Sequence, residues 1–385
     1  MNLRWTRLLE ITGGDGRIPG MEGLRGLAIL LVFATHCWVF FGERWVAPGT
    51  AAFAVGNALY LVGNTGVDLF FALSGYLVYG GLMGRPVRIG VYARHRIRRI
   101  YPAYLVVFAI YLAGALADPA SGKLPAHAGP AAAYLAACLL MLPGIVQMPP
   151  LVSVAWSLSY EFAFYVIVPI AVCGLRMRER DRRIRIAVIL GLAGIALGFA
   201  WLTGLHARMA MFAAGMMLWE ARPAGGPSGL RDTAAVLGTC AAGVAAVILR
   251  GSWGPTGTAY PADVLQAAIL AVGYFLLVRA ALEDGLVGRG LSWRPMRWLG
   301  NISFSFYLVH TLALRVWSGI FSHVPSMLLD RGLALLFAIP LGFVLALTFS
   351  LALYLLVERP FSLARPARRA AAGNSGGKAA PVSAS

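Results

Sequence analysis

The chain has 385 residues, 59% of them hydrophobic and 13% charged, with a mean hydropathy of +0.73. Soluble domains carry about 25% charged residues, so the composition excludes a soluble globular protein. The formal net charge of +17 does not point to nucleic acid, because the arginines sit in short stretches between apolar runs, where basic residues orient membrane helices; no nucleic-acid partner is expected.

The apolar runs are about 17 to 25 residues long and nearly free of charge, the length with which an α-helix crosses roughly 30 Å of hydrocarbon. Alternating ten-residue segments of the outer-membrane-barrel type are absent. The expected fold class is all-α, a polytopic integral membrane protein that contacts lipid along most of its length. In chain order the apolar segments are 24–41, 66–83, 100–117, 131–147, 151–174, 185–203, 207–220, 233–250, 262–282, 299–320 and 332–357. A cytoplasmic amino terminus makes the stretch Arg85 to Arg99 cytoplasmic too, and the six arginines at 176–185 belong on the same side. One crossing too many separates them. Segment 131–147 contains Pro143-Gly144 and precedes Pro149-Pro150, so it is expected to be re-entrant or interfacial, leaving about ten membrane-spanning helices. That assignment places 26 of the 33 basic residues in cytoplasmic segments and five outside, with Arg25 and Arg315 inside helices. Both termini are then cytoplasmic. The chain divides into a lead, 1–23, a membrane domain, 24–363, and a small-residue tail, 364–385, expected to be disordered.

Cys37, Cys138, Cys173 and Cys240 stand singly, with no CxxC pair and no Cys/His cluster, so neither a disulfide nor a metal site is expected. Ionisable residues within spans cost at least a few kcal/mol and are functional candidates. Arg25 and His36 are eleven residues apart, hence within roughly 20° on one helix face and about 16 Å apart along it. They are expected to line one interior path, with Arg25 at its cytoplasmic mouth. Taken singly, a snorkelling arginine and a histidine bonded to a backbone carbonyl explain them as well. Asp68, opening the second span, and Glu161, in WSLSYEFAFY, fall at similar expected depth. His36, Asp68 and Glu161 therefore make a candidate catalytic layer in which a carboxylate fixes the imidazole tautomer; unrelated interhelical hydrogen bonds are the alternative. His310 is expected to position a partner rather than to react.

The stretch YARHRIRRIYPAY places Arg94, Arg96, Arg98 and Arg99 just before a helix expected to start near Tyr101-Pro102. Two readings remain open. The cluster is either a topology signal and lipid-phosphate anchor, or a guanidinium site at a helix amino terminus suited to a phosphate-rich ligand such as coenzyme A. The arginines at 176–185 lack flanking aromatic, proline or histidine residues and are expected to serve topology alone.

GMEGLRGLAILLVFATH, GVDLFFALSGYLV, RIRRIYPAY, WSLSYEFAFY, FAAGM, LGNISFSFYLVH and YLLVERPF follow one another in that order. Over about residues 17 to 363 this set resembles the acyltransferase-3 family of bacterial membrane O-acyltransferases, whose acceptors include O-antigen, exopolysaccharide and macrolides. The resemblance implies transfer of an acyl group, usually acetyl, from cytoplasmic acyl-CoA to a hydroxyl of a carbohydrate-containing or lipid-linked glycan acceptor, in the bacterial inner membrane. By matching positions it assigns Arg25 and His36, the basic motif at Arg94 and Arg98 with its neighbour Arg99, Glu161, and the terminal Glu358, Arg359 and Pro360. A structural role is expected for Glu358-Arg359. Many relatives carry an appended esterase-like periplasmic domain, and whatever it supplies is expected to be absent here or to come from another protein.

The expected mechanism has acyl-CoA phosphates held by Arg94, Arg98, Arg99 and Arg25, with His36 as general base and Glu161 or Asp68 orienting its ring. A covalent acyl-histidine stays open. The alternative from another class is a proton-coupled transporter or flippase using His36, Asp68 and Glu161 as a relay; the lack of an internal repeat and the cytoplasmic arginine motif speak against it.

Overall fold

The computed structural model describes residues 18–42, 45–119, 123–203, 206–221, 228–253, 260–323 and 331–363, and every regular element among them is helical. The tail expected to be disordered and most of the lead lie outside the described residues. α1 (Pro19–Cys37) runs on through a π-helical segment to Gly42; α2 (Ala51–Asn64), α3 (Gly66–Gly84), α4 (Ile89–Ala117), α5 (Ala128–Leu139), α6 (Pro143–Val146) and α7 (Trp156–Gly174) follow. Then come α8 (Arg182–Thr203), α9 (Ala210–Ala221), α10 (Ser228–Trp253), α11 (Tyr260–Ala281), α12 (Leu286–Leu291), α13 (Arg294–Asn301), α14 (Ser303–Phe321) and α15 (Arg331–Leu353), the last continuing as a π-helical segment to Leu363. Nine helices among the described residues are long and apolar enough to cross a membrane, α2 and α3 together forming one of them.

The inner helices are α1, α2–α3 and α14, whereas only 11% of the α8 apolar stretch is buried. Leu202, Ile195 and Leu237 point outward, as expected where the surrounding solvent is hydrocarbon. Close approach is secured by small residues. A Cβ on Gly26 would collide with the Met296 carbonyl and one on Gly300 with that of Glu22, so α1 and α13 meet backbone to backbone; Gly75 and Gly215 clamp α9 to α3 in the same way.

Three segments differ from the expected layout. Residues 42–65, expected as an outer loop or amphipathic surface between the first two spans, contain α2, capped by Thr50, whose hydroxyl accepts the Phe53 N–H at 3.2 Å. α2 runs along α1, where the Thr35 hydroxyl donates to the Tyr60 carbonyl at 3.0 Å. Past the bend at Thr65, Gly66 abuts Ala28 and Val32. Asp68 thus lies partway along a 34-residue helical path, Ala51–Gly84, not at its mouth. Segment 207–220, expected as a span, yields the 12-residue α9, about 18 Å long at 1.5 Å per residue. It is almost wholly buried, and Glu220 near its end accepts two bonds from Arg185, at 2.7 and 2.9 Å, and one from the Tyr79 hydroxyl at 2.6 Å.

Segment 131–147, expected to be re-entrant or interfacial, is broken where Pro143-Gly144 stand and forms no long helix. Met141 and Gln147 adopt left-handed φ values of 56° and 55°, and the irregular stretch after them buries Leu151, Val152 and Val154. Non-helical backbone at membrane depth is tolerated where protein surrounds it; here the Tyr307 hydroxyl donates to the Val154 carbonyl at 2.9 Å. Finally, α4 begins at Ile89, with Pro102 in its interior. Arg94 to Arg99 therefore lie inside a helix, and the expected helix amino terminus at Tyr101-Pro102 does not exist, because Arg, Ile and His continue a helix without difficulty.

Candidate functional site

α1 and α14 run parallel and touch at two polar rungs. At the lower one the Arg25 guanidinium donates to the Ser303 hydroxyl through Nε and Nη2, at 3.2 and 3.1 Å. At the upper one the His36 and His310 rings meet edge to face, centroids 4.7 Å apart, with His310 Nε2 3.2 Å from His36 Nδ1. His310 Nδ1 faces the carbonyls of Tyr307 at 2.8 Å and Phe306 at 3.1 Å, while His36 Nδ1 faces that of Val32 at 2.8 Å. A carbonyl only accepts, so each Nδ1 carries the proton. His310 Nε2 then accepts from His36 Nδ1–H, and the remaining lone pair of His36 is on Nε2. The partners that fix this tautomer are a carbonyl and a second imidazole. Neither Asp68 nor Glu161, expected to orient the ring, is among them.

Below this pair lies a cavity of about 150 Å³ whose polar walls include Arg25, Arg96, Arg99, Ser74, Glu161 and Tyr307. Glu161 accepts from the Ser74 hydroxyl at 3.0 Å and from the Tyr165 hydroxyl. Arg99 pairs with the fully buried Glu358, which also accepts from Ser305 N–H and Oγ at 3.2 and 2.5 Å. Glu358 therefore ties α4 to α14, the structural role expected of it, with Arg99 rather than Arg359 as its partner. Arg96 is held differently. Its guanidinium lies between the rings of Tyr92 and Tyr165, 5.2 and 4.8 Å from their centroids, and its buried Nε has no partner. Three guanidinium groups against Glu161 and Glu358 leave an excess of positive charge in a confined space. Tyr307, one turn before His310, and Ser157 are among its walls, their hydroxyls 2.7 Å apart, and His36 itself does not line it.

Arg94 is exposed and Arg98 donates to the Phe361 carbonyl at 3.3 Å; neither lines the cavity. The helical repeat separates them: Tyr92, Arg96 and Arg99 share one face of α4 at spacings of four and three, and Arg94 and Arg98 share another. Arg96 stood in the motif without being singled out, and that spacing against the buried Ile100, Ala103 and Tyr104 is the signal that finds it. Three of the arginines expected to serve topology alone have partners, Arg178 with the Leu82 carbonyl at 2.7 Å, Arg180 with the Leu175 carbonyl at 3.4 Å and Arg185 with Glu220.

Asp68 stands apart from both groups. It pairs with Arg208 at 3.6 Å, at a second cavity of about 500 Å³ that includes His206, Asp263 and Gln266. Gly66 packs at the level of Ala28 and Val32, a turn or more below His36, and Ser74, which meets Glu161, is eight residues further along α3. The single layer expected for His36, Asp68 and Glu161 is thus replaced by three separate levels. Burial lowers the His206 imidazole, keeping it neutral near pH 7, and it bonds the Tyr160 hydroxyl at 2.8 Å. Among the described residues no group of three His, Cys, Asp or Glu side chains is placed to hold a metal.

Comparison with known proteins bears on this arrangement. The chain is 28% identical over 383 residues, 92% of its length, to BcsY of Komagataeibacter xylinus, a candidate membrane-bound transacylase, of which it covers 86%. It is 29% identical over 324 residues to the exopolysaccharide production protein ExoZ of Rhizobium meliloti (strain 1021), with 81% of this chain and 93% of that one aligned. It is 28% identical over 320 residues to the acyltransferase MdmB of Streptomyces mycarofaciens, covering 78% and 79% of the two. No solved structure matches. An acyltransferase-domain family model matches residues 18–355, which include the histidine pair and the walls of both cavities, and the chain therefore belongs to the acyltransferase-3 family, as a multi-pass membrane enzyme that transfers acyl groups other than aminoacyl groups.

Proposed function

We propose that this enzyme moves an acetyl group from acyl-CoA to a hydroxyl of a carbohydrate-containing acceptor, with His36 as the general base. The observation that carries the reading is the tautomer relay: Val32 and His310 hold the Nδ1 proton of His36 and leave its Nε2 lone pair for the hydroxyl proton. As that proton moves to Nε2, the hydroxyl oxygen bonds to the acyl carbon, the carbon–sulfur bond breaks and the thiolate is reprotonated. The imidazolium formed keeps its Nδ1–H directed at a carbonyl and at a neutral imidazole, both acceptors. The acceptor class is supported by ExoZ, whose name links it to exopolysaccharide production. A proton relay through His36, Asp68 and Glu161 finds no support, since the three stand at different levels and in different hydrogen-bond groups.

The cavity below the histidines is assigned to the donor. Its guanidinium groups suit phosphate, with Arg25, Arg96 and Arg99 as walls and Arg94 and Arg98 on the outer faces of the same α4 turns. Glu161 and Tyr165 keep Arg96 in its stacked position. Arg96→Lys retains the charge and loses the planar fork and the two ring contacts, so the acyl-CoA KM is expected to rise about tenfold or more, on the order of 1.5 to 3 kcal/mol. Arg182→Lys and Arg183→Lys, at exposed positions, are the controls and are expected to match wild type. Equal, negligible effects at all three positions return the arginines of α4 to a topology role.

The donor end is assigned to the cytoplasm of a bacterium, the enzyme lying in the inner membrane with both termini inside. α9 carries the chain back between the Arg208 and Arg185 levels, so it completes a tenth crossing inside the protein. A reporter fused at Glu179 is expected to read as cytoplasmic and one at His206 as external; an external signal at Glu179 reverses the assignment.

A further inference from the structure

The cavity around Asp68 has no part in the chemistry assigned above. It holds about 500 Å³, within the range of small-molecule sites, about 300 to 1,000 Å³. α3 stands between it and His36. Gly66 faces α1 through Ala28 and Val32, whereas Asp68, two residues on and about 200° around the helix, faces the cavity. Its walls include residues at the start of α11 and in the His206 turn and none of the arginines of α4.

Its lining is unlike that of the donor cavity. Asp68 and Asp263 outweigh the single guanidinium of Arg208, which is already engaged with Asp68, with the Asn64 carbonyl at 3.3 Å and with the Trp156 ring at 5.3 Å. That balance disfavours phosphate and other anions. Asp263 and Gln266, one turn apart at the start of α11, and Trp156 line the cavity, and among the described residues neither the two α11 side chains nor the indole N–H of Trp156 has a hydrogen-bond partner. A carboxylate, a carboxamide and an indole N–H supply acceptors and donors together, beside the aromatic bodies of Trp156 and Tyr160. A ligand matching this set carries many hydroxyl groups, each both donor and acceptor, with no net charge.

We infer that this cavity is a saccharide-binding subsite that holds a neutral stretch of glycan, remote from the hydroxyl that reacts at His36. That its occupant is part of the acceptor chain rests on the carbohydrate reading of the acceptor; that it binds saccharide does not. A second subsite suits a polymer, because binding energy gathered away from the reacting unit serves to position it.

The test uses the purified full chain in nanodiscs free of sugar-headed detergent, titrated calorimetrically with cellotetraose and with maltotetraose as neutral β- and α-linked probes. Saturable binding of at least one probe is expected, weakened tenfold or more by Asp263→Asn combined with Gln266→Ala and separately by Trp156→Phe, which removes the indole N–H and keeps an aromatic ring. Acetyl-CoA binding in these variants is expected to equal wild type, which also reports that they fold. Absence of binding by both probes, or equal binding by wild type and the Asp263/Gln266 variant, overturns the subsite. His36→Ala is expected to bind the probe as wild type does. If that variant still transferred acetyl groups, the proposed mechanism would fall while the subsite stood.

Discussion

His36→Ala is expected to lower acyl transfer by about 10² to 10⁴-fold, the usual contribution of a positioned general base, in protein that inserts and binds acyl-CoA normally. The magnitude follows from the isolation of the ring. Among the described residues His310 is the one other titratable side chain in its hydrogen-bond group, and its Nε2 is already occupied by the Nδ1–H of His36. His310→Leu leaves the Val32 carbonyl to hold His36, so a smaller loss, roughly tenfold, is expected. Steady-state rates on reconstituted protein check both, and an inverted order, His310→Leu worse than His36→Ala, would make His310 the reacting residue.

The second large effect concerns stability. Glu358 is fully buried and accepts from Arg99 and twice from Ser305, so it joins α15, α4 and α14 at one point. Removing one partner of a buried pair leaves the other charge uncompensated, and Glu358→Ala is expected to cost about 3 to 5 kcal/mol. The readout is the thermal unfolding midpoint in detergent, expected to fall by several degrees. Adding Arg99→Leu to Glu358→Ala removes the stranded charge and is expected to recover a good part of the loss, since apolar replacement of a whole pair is often near neutral. A double variant less stable than Glu358→Ala would show that the guanidinium, not the pair, is what the fold requires.

The helical class was legible because the signal was redundant: apolar length and sparse charge both pointed to spans, and Pro143-Gly144 with Pro149-Pro150 marked the broken segment. α2 was not legible. Its Gly, Ala and Asn residues have no charge pattern to distinguish a helix from a loop, and the deciding interaction is the cap at Thr50. Placing Asp68 at the mouth of a span followed from that omission, and with it the supposed common depth of Asp68 and His36. Arg96 was legible in principle, through its i+3 and i−4 neighbours Arg99 and Tyr92, once the arginine run is read as helix instead of loop. The pairing of His36 with His310 was not, because 274 residues separate them and only the parallel packing of α1 on α14 brings the rings together. Similarly, no local pattern announces that Glu358 pairs with Arg99 and not with the adjacent Arg359.

One measurement addresses both acyl-CoA as donor and His36 as base. Purified enzyme is placed in proteoliposomes with acetyl-CoA on the face that carries the α4 arginines, and free CoA thiol is counted with and without glycan acceptor. CoA release is expected to depend on the acceptor, to match the ester formed one for one, and to be lost in His36→Ala. Ester formation without consumption of acetyl-CoA, or undiminished acceptor-dependent release by His36→Ala, would contradict that mechanism.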